Sequence, residues 1–228
     1  VLGGEQAEGL RFASGGRVRE LSCSTVLLHQ GVVPNTQISR ALRLSHSWNG
    51  RQRCFHPDRN SWGQTSNPAI YIAGDGGSIG GALAAEQAGR LAALDILFQC
   101  GRISEQNRDQ LAAAARRALS NELAVRPFLD TLYQPPGSIL RPADPVIICR
   151  CEEVTAGDVR RYAGLGCTGP NQTKAFGRCG MGPCQGRMCG LTVTEVIAHA
   201  RGVSAQDVGY YRIRPPIKPI TLGELAGE

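Results

Sequence analysis

Residues 176–190, FGRCGMGPCQGRMCG, hold three cysteines and five glycines. Glycine buries no side chain and weakens both helices and strands. Such a stretch cannot be an ordinary core element. It reads as a loop shaped around something that its thiols join or hold.

The other cysteines narrow the choice. The chain has nine: Cys23, Cys54, Cys100, Cys149, Cys151, Cys167, Cys179, Cys184 and Cys189, and six of them fall between 149 and 189. The odd count argues against a secreted disulfide framework, as does an N-terminus without a basic-then-apolar leader pattern. A clustered set in a reducing compartment is more often a metal centre. Cys149 and Cys151 are separated by one residue and Cys179 and Cys184 by four, with residues 152–178 between the pairs. Structural zinc sites favour pairs spaced by two to four residues, with His as a common co-ligand. Only His199 lies near this region. A [2Fe–2S] cluster takes four thiolates and tolerates such pairs. Its oxidised four-thiolate form is anionic, and Arg150, Lys174, Arg178 and Arg187 are close by in sequence. Gly177, Gly180, Gly182 and Gly186 leave the backbone free to aim N–H groups at sulfur. Cys167 or Cys189 could replace one of the four ligands, although a small buried residue is the commoner role. Cys23, Cys54 and Cys100 have no partner pattern.

Composition sets wider bounds. The 228 residues are 42% hydrophobic and 19% charged, as in a folded globular chain. No apolar run is long enough to cross a bilayer. The net charge is +6, but the basic residues are scattered, so a nucleic-acid partner is not expected. The histidines at 29, 46, 56 and 199 are dispersed and fit structural roles. No Ser/His/Asp or Cys/His catalytic set is legible.

Along the chain, GLRFAS and RVREL flank Gly15-Gly16 and predict a hairpin. STVLLHQG (24–31) predicts a buried strand, and a short helix should follow the Pro34-Asn35 turn. AIYIAGD (69–75) predicts a second apolar strand, leading through a glycine-rich turn into a long helix over 76–100. Residues 104–133 predict more helix, broken or bent by Pro127. QPPGSILRPADP (134–145) carries four prolines and predicts a stiff, extended linker. Thr155 with Asp158, and Thr192 with Glu195, each show the spacing of a helix N-terminal cap.

Taken together, ICRCEEVTAGDV, GCTGPNQTKAFGRCGMGPCQGRMCG and TVTEVIAHARG resemble the bacterioferritin-associated-ferredoxin-like [2Fe–2S] domain. The version most similar is that at the C-terminus of the FAD-containing subunit of opine oxidases, hydrogen cyanide synthase and D-hydroxyproline dehydrogenase. Upstream, STVLLHQGVVPNT resembles the end of the NAD-type domain of two-dinucleotide flavoproteins. WGQTSNPAIYIAGDGGSIGGALAAEQAGRLAA resembles their second FAD motif.

The resemblance implies Cys149, Cys151, Cys179 and Cys184 as cluster ligands. It also implies Asp75 at the ribityl–phosphate part of FAD, with Gly74 and Gly76 as backbone contacts. The fold class expected is α/β, a partial two-dinucleotide-binding flavoprotein fold, followed by a small mainly α-helical [2Fe–2S] domain. The expected divisions are residues 1–100 (C-terminal part of an FAD/NAD(P)-binding domain), 101–133 (helical), 134–145 (linker), 146–202 (cluster domain) and 203–228 (extended tail). G-x-G-x-x-G occurs nowhere in the chain. The FAD site is therefore expected to be incomplete, and the chain to be the C-terminal part of a longer flavoprotein.

The implied function is electron transfer, through FAD and [2Fe–2S], in a dehydrogenase acting on amines or amino acids. The implied partners are a quinone or other electron acceptor and a substrate-oxidising flavoprotein subunit. The expected location is cytoplasmic, free or peripheral at the inner face of the membrane. A stand-alone ferredoxin-like carrier and a zinc-stabilised interaction domain are the rival readings.

Overall fold

The computed structural model describes residues 1–29 and 31–227. The chain forms two compact units, Val1–Gly31 and Val32–Glu228.

The first unit is a hairpin. β1 (Gly9–Ser14) pairs antiparallel with β2 (Arg17–Ser22), with Ser14 opposite Arg17. Gly15 and Gly16 both have positive φ, +58° and +73°, which is the left-handed backbone that a tight two-residue turn needs. The strand expected over 24–31 does not form among the described residues, and Gln30 lies outside them. Leu27 and Leu28 are exposed, at 90% and 77%. An apolar run becomes a buried strand only where a neighbouring strand takes its N–H and C=O groups, and among the described residues none does so here.

The second unit opens with α1 (Gln37–Ala41), behind the Pro34-Asn35 turn as expected. β3 (His46–Asn49) and β4 (Cys54–Pro57) form an antiparallel pair. The strand expected over 69–75 is replaced by turns, a single bridge between Gln64 and Tyr71, and a 3₁₀ turn at Gly74–Gly76. Its residues are half-buried or exposed, which is not the environment of a central strand. Among the described residues all three sheets are two-stranded and antiparallel.

α2 (Ala82–Gln99) starts after the glycines rather than at residue 76, because Gly81, at φ +96°, is its N-cap. α3 (Glu105–Leu123) is capped by Ser104, whose hydroxyl accepts from Asn107 N–H at 3.2 Å. The two helices pack as a hairpin over Leu91, Ala112 and Ala115. Inside it, Asp95 accepts from Arg108 at 3.1 Å and from the Tyr71 hydroxyl at 2.7 Å. The Arg108 guanidinium lies 4.3 Å from the Trp62 ring centroid and 4.5 Å from that of Phe98. The buried charge is thus both paired and stacked. α4 (Arg126–Leu132) begins just before Pro127, which occupies its first turn.

The proline-rich stretch is not extended throughout, since it contains the helical turn α5 (Gly137–Leu140). Its end is tied to the following segment. Arg160 pairs with Asp144 and donates to Pro142 O at 2.6 Å.

β5 (Ile147–Cys149) pairs with β6 (Val154–Thr155), which runs into α6 (Ala156–Gly164). The Thr155/Asp158 cap is present in both directions: Thr155 Oγ1 accepts from Asp158 N–H at 3.1 Å, and Asp158 accepts from Thr155 N–H at 3.1 Å. α7 (Pro170–Gly177) and α8 (Gly190–Arg201) follow. The second expected cap is a different object. α8 begins at Gly190, so Thr192 and Glu195 lie within it, and Glu195 is buried against Arg53. The tail is also not purely extended, because it carries α9 (Ala205–Val208) and α10 (Leu222–Ala226). Among the described residues no helix is long and apolar enough to cross a membrane.

Candidate metal centre and flavin loop

The core of this last segment is built on sulfur. Cys149, Cys179 and Cys189 are buried among Val154, Val159, Val193, Val196 and Tyr211. β5 delivers Cys149, the loop after α7 delivers Cys179, and the N-cap of α8 delivers Cys189. Their three Sγ atoms all lie within 4.8 Å of one another. Cys151 is exposed and Cys184 half-buried, and a thiol–thiol hydrogen bond links them. Of the four cysteines expected to act together, Cys149 and Cys179 therefore meet in the core, while Cys151 and Cys184 meet at its rim. Cys167 is buried in the same core, and burial raises its pKa.

Of the four glycines expected to aim N–H groups at sulfur, Gly180 and Gly186 do so, together with Glu152, Arg187 and Met188. Burial raises the Cys184 thiol, but N–H bonds from Met188, Gly186 and Arg187 and the bond to Cys151 outweigh it, so the net shift is downward. Cys149 receives N–H bonds from Gly180 and Glu152, yet burial dominates and its pKa rises. Peptide N–H groups aimed at sulfur favour thiolates and metal-bound sulfur.

The loop must also pass close to two tyrosines from the tail. Gly180 and Gly186 have φ of +84° and +81°, and a Cβ on either would enter the ring of Tyr211. A Cβ on Gly182 would overlap Cys151, and one on Gly190 would overlap Tyr210. Tyr211 is 1% exposed, with its hydroxyl 3.8 Å from Cys189 Sγ. The tyrosine pair carried no motif that sequence reasoning could detect. The only sign was the need for glycine opposite an unidentified bulky group. Cys189 was named in sequence only as a possible replacement ligand, and nothing there marked its proximity to Cys149 and Cys179.

The basic residues have particular partners. Arg178 pairs with Glu152 at 3.0 Å, and Arg187 donates to Cys184 O at 3.2 Å and to Ile217 O. Lys174 Nζ stands 4.9 Å from the Tyr211 ring centroid.

The loop expected to meet FAD is separate. Asp75 Oδ1 accepts from Gly80 N–H at 2.9 Å and Gly81 N–H at 3.1 Å, closing a loop in front of α2. Beside it is a cavity of about 290 Å³, floored by small residues including Gly74, Gly80, Ala84 and Ala88. Gly81, the N-cap of α2, has no side chain of its own to cap the helix. Gly74, at φ +70°, is held against Ala85, which a Cβ would meet at 3.0 Å. These features fit a phosphate-bearing ligand. The buried thiols with their N–H donors fit iron–sulfur chemistry.

Residues 146–228 match the sarcosine oxidase A3 domain family. The A subunit of opine oxidase from Rhizobium meliloti (strain 1021) is 51% identical over 92% of this chain and 46% of its own length. The chain belongs to the family that contains the A subunit of opine oxidase and the HcnB subunit of hydrogen cyanide synthase. HcnB from Pseudomonas protegens is 33% identical over 90% of this chain and 43% of its own length. The chain thus spans less than half the length of these family members. A crystal structure of L-proline dehydrogenase from P. horikoshii shares the fold, with a TM-score of 0.72 at 22% identity over 99% of this chain and 43% of that one.

Proposed function

We propose that this chain is the electron-transfer portion, for FAD and a [2Fe–2S] cluster, of one subunit of an oxidoreductase complex whose partner subunit oxidises C–N bonds of opines or D-amino acids. The observation that carries this reading is the meeting of Cys149 with Cys179 and of Cys151 with Cys184, with peptide N–H groups directed at Cys149 and Cys184, in a chain whose relatives include the A subunit of opine oxidase. The partners it calls for are a quinone or other electron acceptor and a substrate-oxidising flavoprotein subunit.

Cys149, Cys151, Cys179 and Cys184 would hold the cluster, which supplies one-electron chemistry at a potential tuned by hydrogen bonds to its sulfurs. This chain provides those bonds: Gly180 and Glu152 donate to Cys149, and Gly186, Arg187 and Met188 donate to Cys184. Tyr211 and the apolar core exclude water from the inner side. In the flavin loop Asp75 holds the turn before α2, leaving the N–H groups of that helix to face a phosphate.

The test is chemical analysis of the anaerobically purified chain together with its partner subunit. Iron and acid-labile sulfide in equal amounts, flavin released on denaturation, and a visible spectrum bleached by dithionite are expected. A colourless protein carrying zinc and no sulfide would refute the cluster.

A further inference from the structure

Arg40 carries a charge that no acid offsets. Its guanidinium is held between two rings, with Cζ 4.7 Å from the Phe55 centroid and 4.4 Å from that of Tyr210. Nε donates to Thr36 Oγ1 at 3.2 Å, whereas Nη2 is buried with no acceptor among the described residues. Stacking fixes the plane of the group but supplies no anion. Burial lowers the Arg40 pKa to about 10, which leaves it a cation at neutral pH. Among the described residues neither Arg40 nor Arg187 is paired with a carboxylate. A cation withdrawn from water without a counter-charge is costly, and an anionic ligand offsets that cost.

The two arginines line one cavity of about 180 Å³. Arg187 is steadied there by Cys184 O at 3.2 Å and by Ile217 O. Val33, Pro34, Phe55 and Leu191 give the cavity an apolar wall. Cys54 and Tyr210 also line it, and burial pushes both their pKa values up to about 12, so neither adds a negative charge. Among the described residues no acid lines the cavity, and none of the cysteines between 149 and 189 does. An apolar cavity of about 150 Å³ holds benzene, so this one takes a body of about six to eight non-hydrogen atoms. Inorganic phosphate would leave the apolar wall uncovered, and a hydrocarbon would leave the arginines without an anion.

We propose that this cavity binds a short aliphatic monocarboxylate, with its carboxylate toward Arg40 and Arg187 and its alkyl body against Val33, Pro34 and Leu191. The fork of a guanidinium matches the two oxygens of a carboxylate, and the rings of Phe55 and Tyr210 hold that fork ready. The site is distinct from the loop that holds Asp75 and from the cysteine centre. Its ligand needs neither FAD nor iron, so the proposal stands or falls apart from the electron-transfer reading.

The experiment titrates the full chain with isovalerate, a branched monocarboxylate of the size that fits. Calorimetry should show one saturable site with a Kd of about 1 mM or tighter. Isovaleramide, the neutral isostere, should bind at least about tenfold more weakly, as should inorganic phosphate. Arg40→Gln should weaken isovalerate at least about tenfold, and Arg40→Lys, which keeps the charge without the fork, by less. If Arg40→Gln does not fold, nuclear Overhauser contacts on the unaltered chain decide. The isovalerate methyl protons should reach the methyl groups of Val33 and Leu191. Equal binding of isovalerate and isovaleramide, tighter binding of phosphate, full affinity in Arg40→Gln, contacts only to other methyl groups, or no saturable binding would each overturn the proposal.

Discussion

The guanidinium of Arg53 lies 2.6 Å from the carboxylate of Glu195, which is 142 residues further along the chain. The Glu195 side chain is 8% exposed and that of Arg53 32%. The pair joins the turn between β3 and β4 to the middle of α8, the helix whose N-cap is Cys189. Breaking one side of a buried pair leaves a charge without compensation. Arg53→Ala should therefore cost about 2–3 kcal/mol in urea denaturation, the low end for buried pairs because the arginine is partly solvated. Arg53→Ala/Glu195→Ala should cost less than the two single changes added together. Strict additivity would show that the contact carries no coupling.

Gly180→Ala and Gly186→Ala each place a methyl group in the ring of Tyr211 and force a non-glycine residue to positive φ. Each should lower the midpoint of thermal unfolding by several degrees, equivalent to about 2–4 kcal/mol. Gly164→Ala is the control. It ends α6 with nothing within 4 Å of the added Cβ, so it should be neutral or slightly stabilising. A midpoint unchanged in Gly180→Ala would mean that the loop can move away from the tyrosine.

His46 carries a pH dependence. Burial, then the charge of Arg40, lowers its pKa from 6.5 to about 4, and its ring nitrogens contact Ser39 Oγ at 2.9 Å and Leu44 O at 2.8 Å. A base whose folded pKa is depressed contributes stability above its unfolded pKa and loses it as pH falls toward the folded value. Stability should therefore decline between pH 6.5 and about 4. His56, also lowered mainly by burial, contributes to the same decline. His46→Gln should make the slope shallower without abolishing it. An unchanged slope in that variant would exclude His46 as a source.

Asp75 tests the flavin loop. Asp75→Ala removes the acceptor for two peptide N–H groups and should cost about 1–2 kcal/mol, whereas Asp75→Asn keeps an acceptor and should cost less. Flavin retained by the purified complex should fall in the same order. Equal flavin content in the parent and Asp75→Ala would separate the loop from flavin binding.

The elements legible in sequence were those fixed by neighbours in the chain. Gly15-Gly16 specified its turn, and Thr155 with Asp158 specified the start of α6, because each signal and its partner lie within a few residues. Thr192 and Glu195 show the same spacing, yet Glu195 pairs with Arg53, and a local pattern cannot register so distant a partner. The runs at 24–31 and 69–75 show the ambiguity of short apolar stretches, whose strand character depends on a neighbour that their own residues do not encode. At the candidate centre the sequence grouped the cysteines in one segment, but the nearness of Cys189 to Cys149 and the pressure of Tyr210 and Tyr211 arise only on folding.

That pressure bears on the order of biosynthesis. A chain leaves the ribosome N-terminus first, so every thiol of the centre emerges before the tyrosines that close over it. Tyr211 follows Cys189 by 22 residues, and Ile217, whose carbonyl receives Arg187, comes later still. Until those residues emerge, the glycine loop has no ring to fold against. The nascent thiols stay open to solvent during that interval, and the proposed cluster would have its easiest access then.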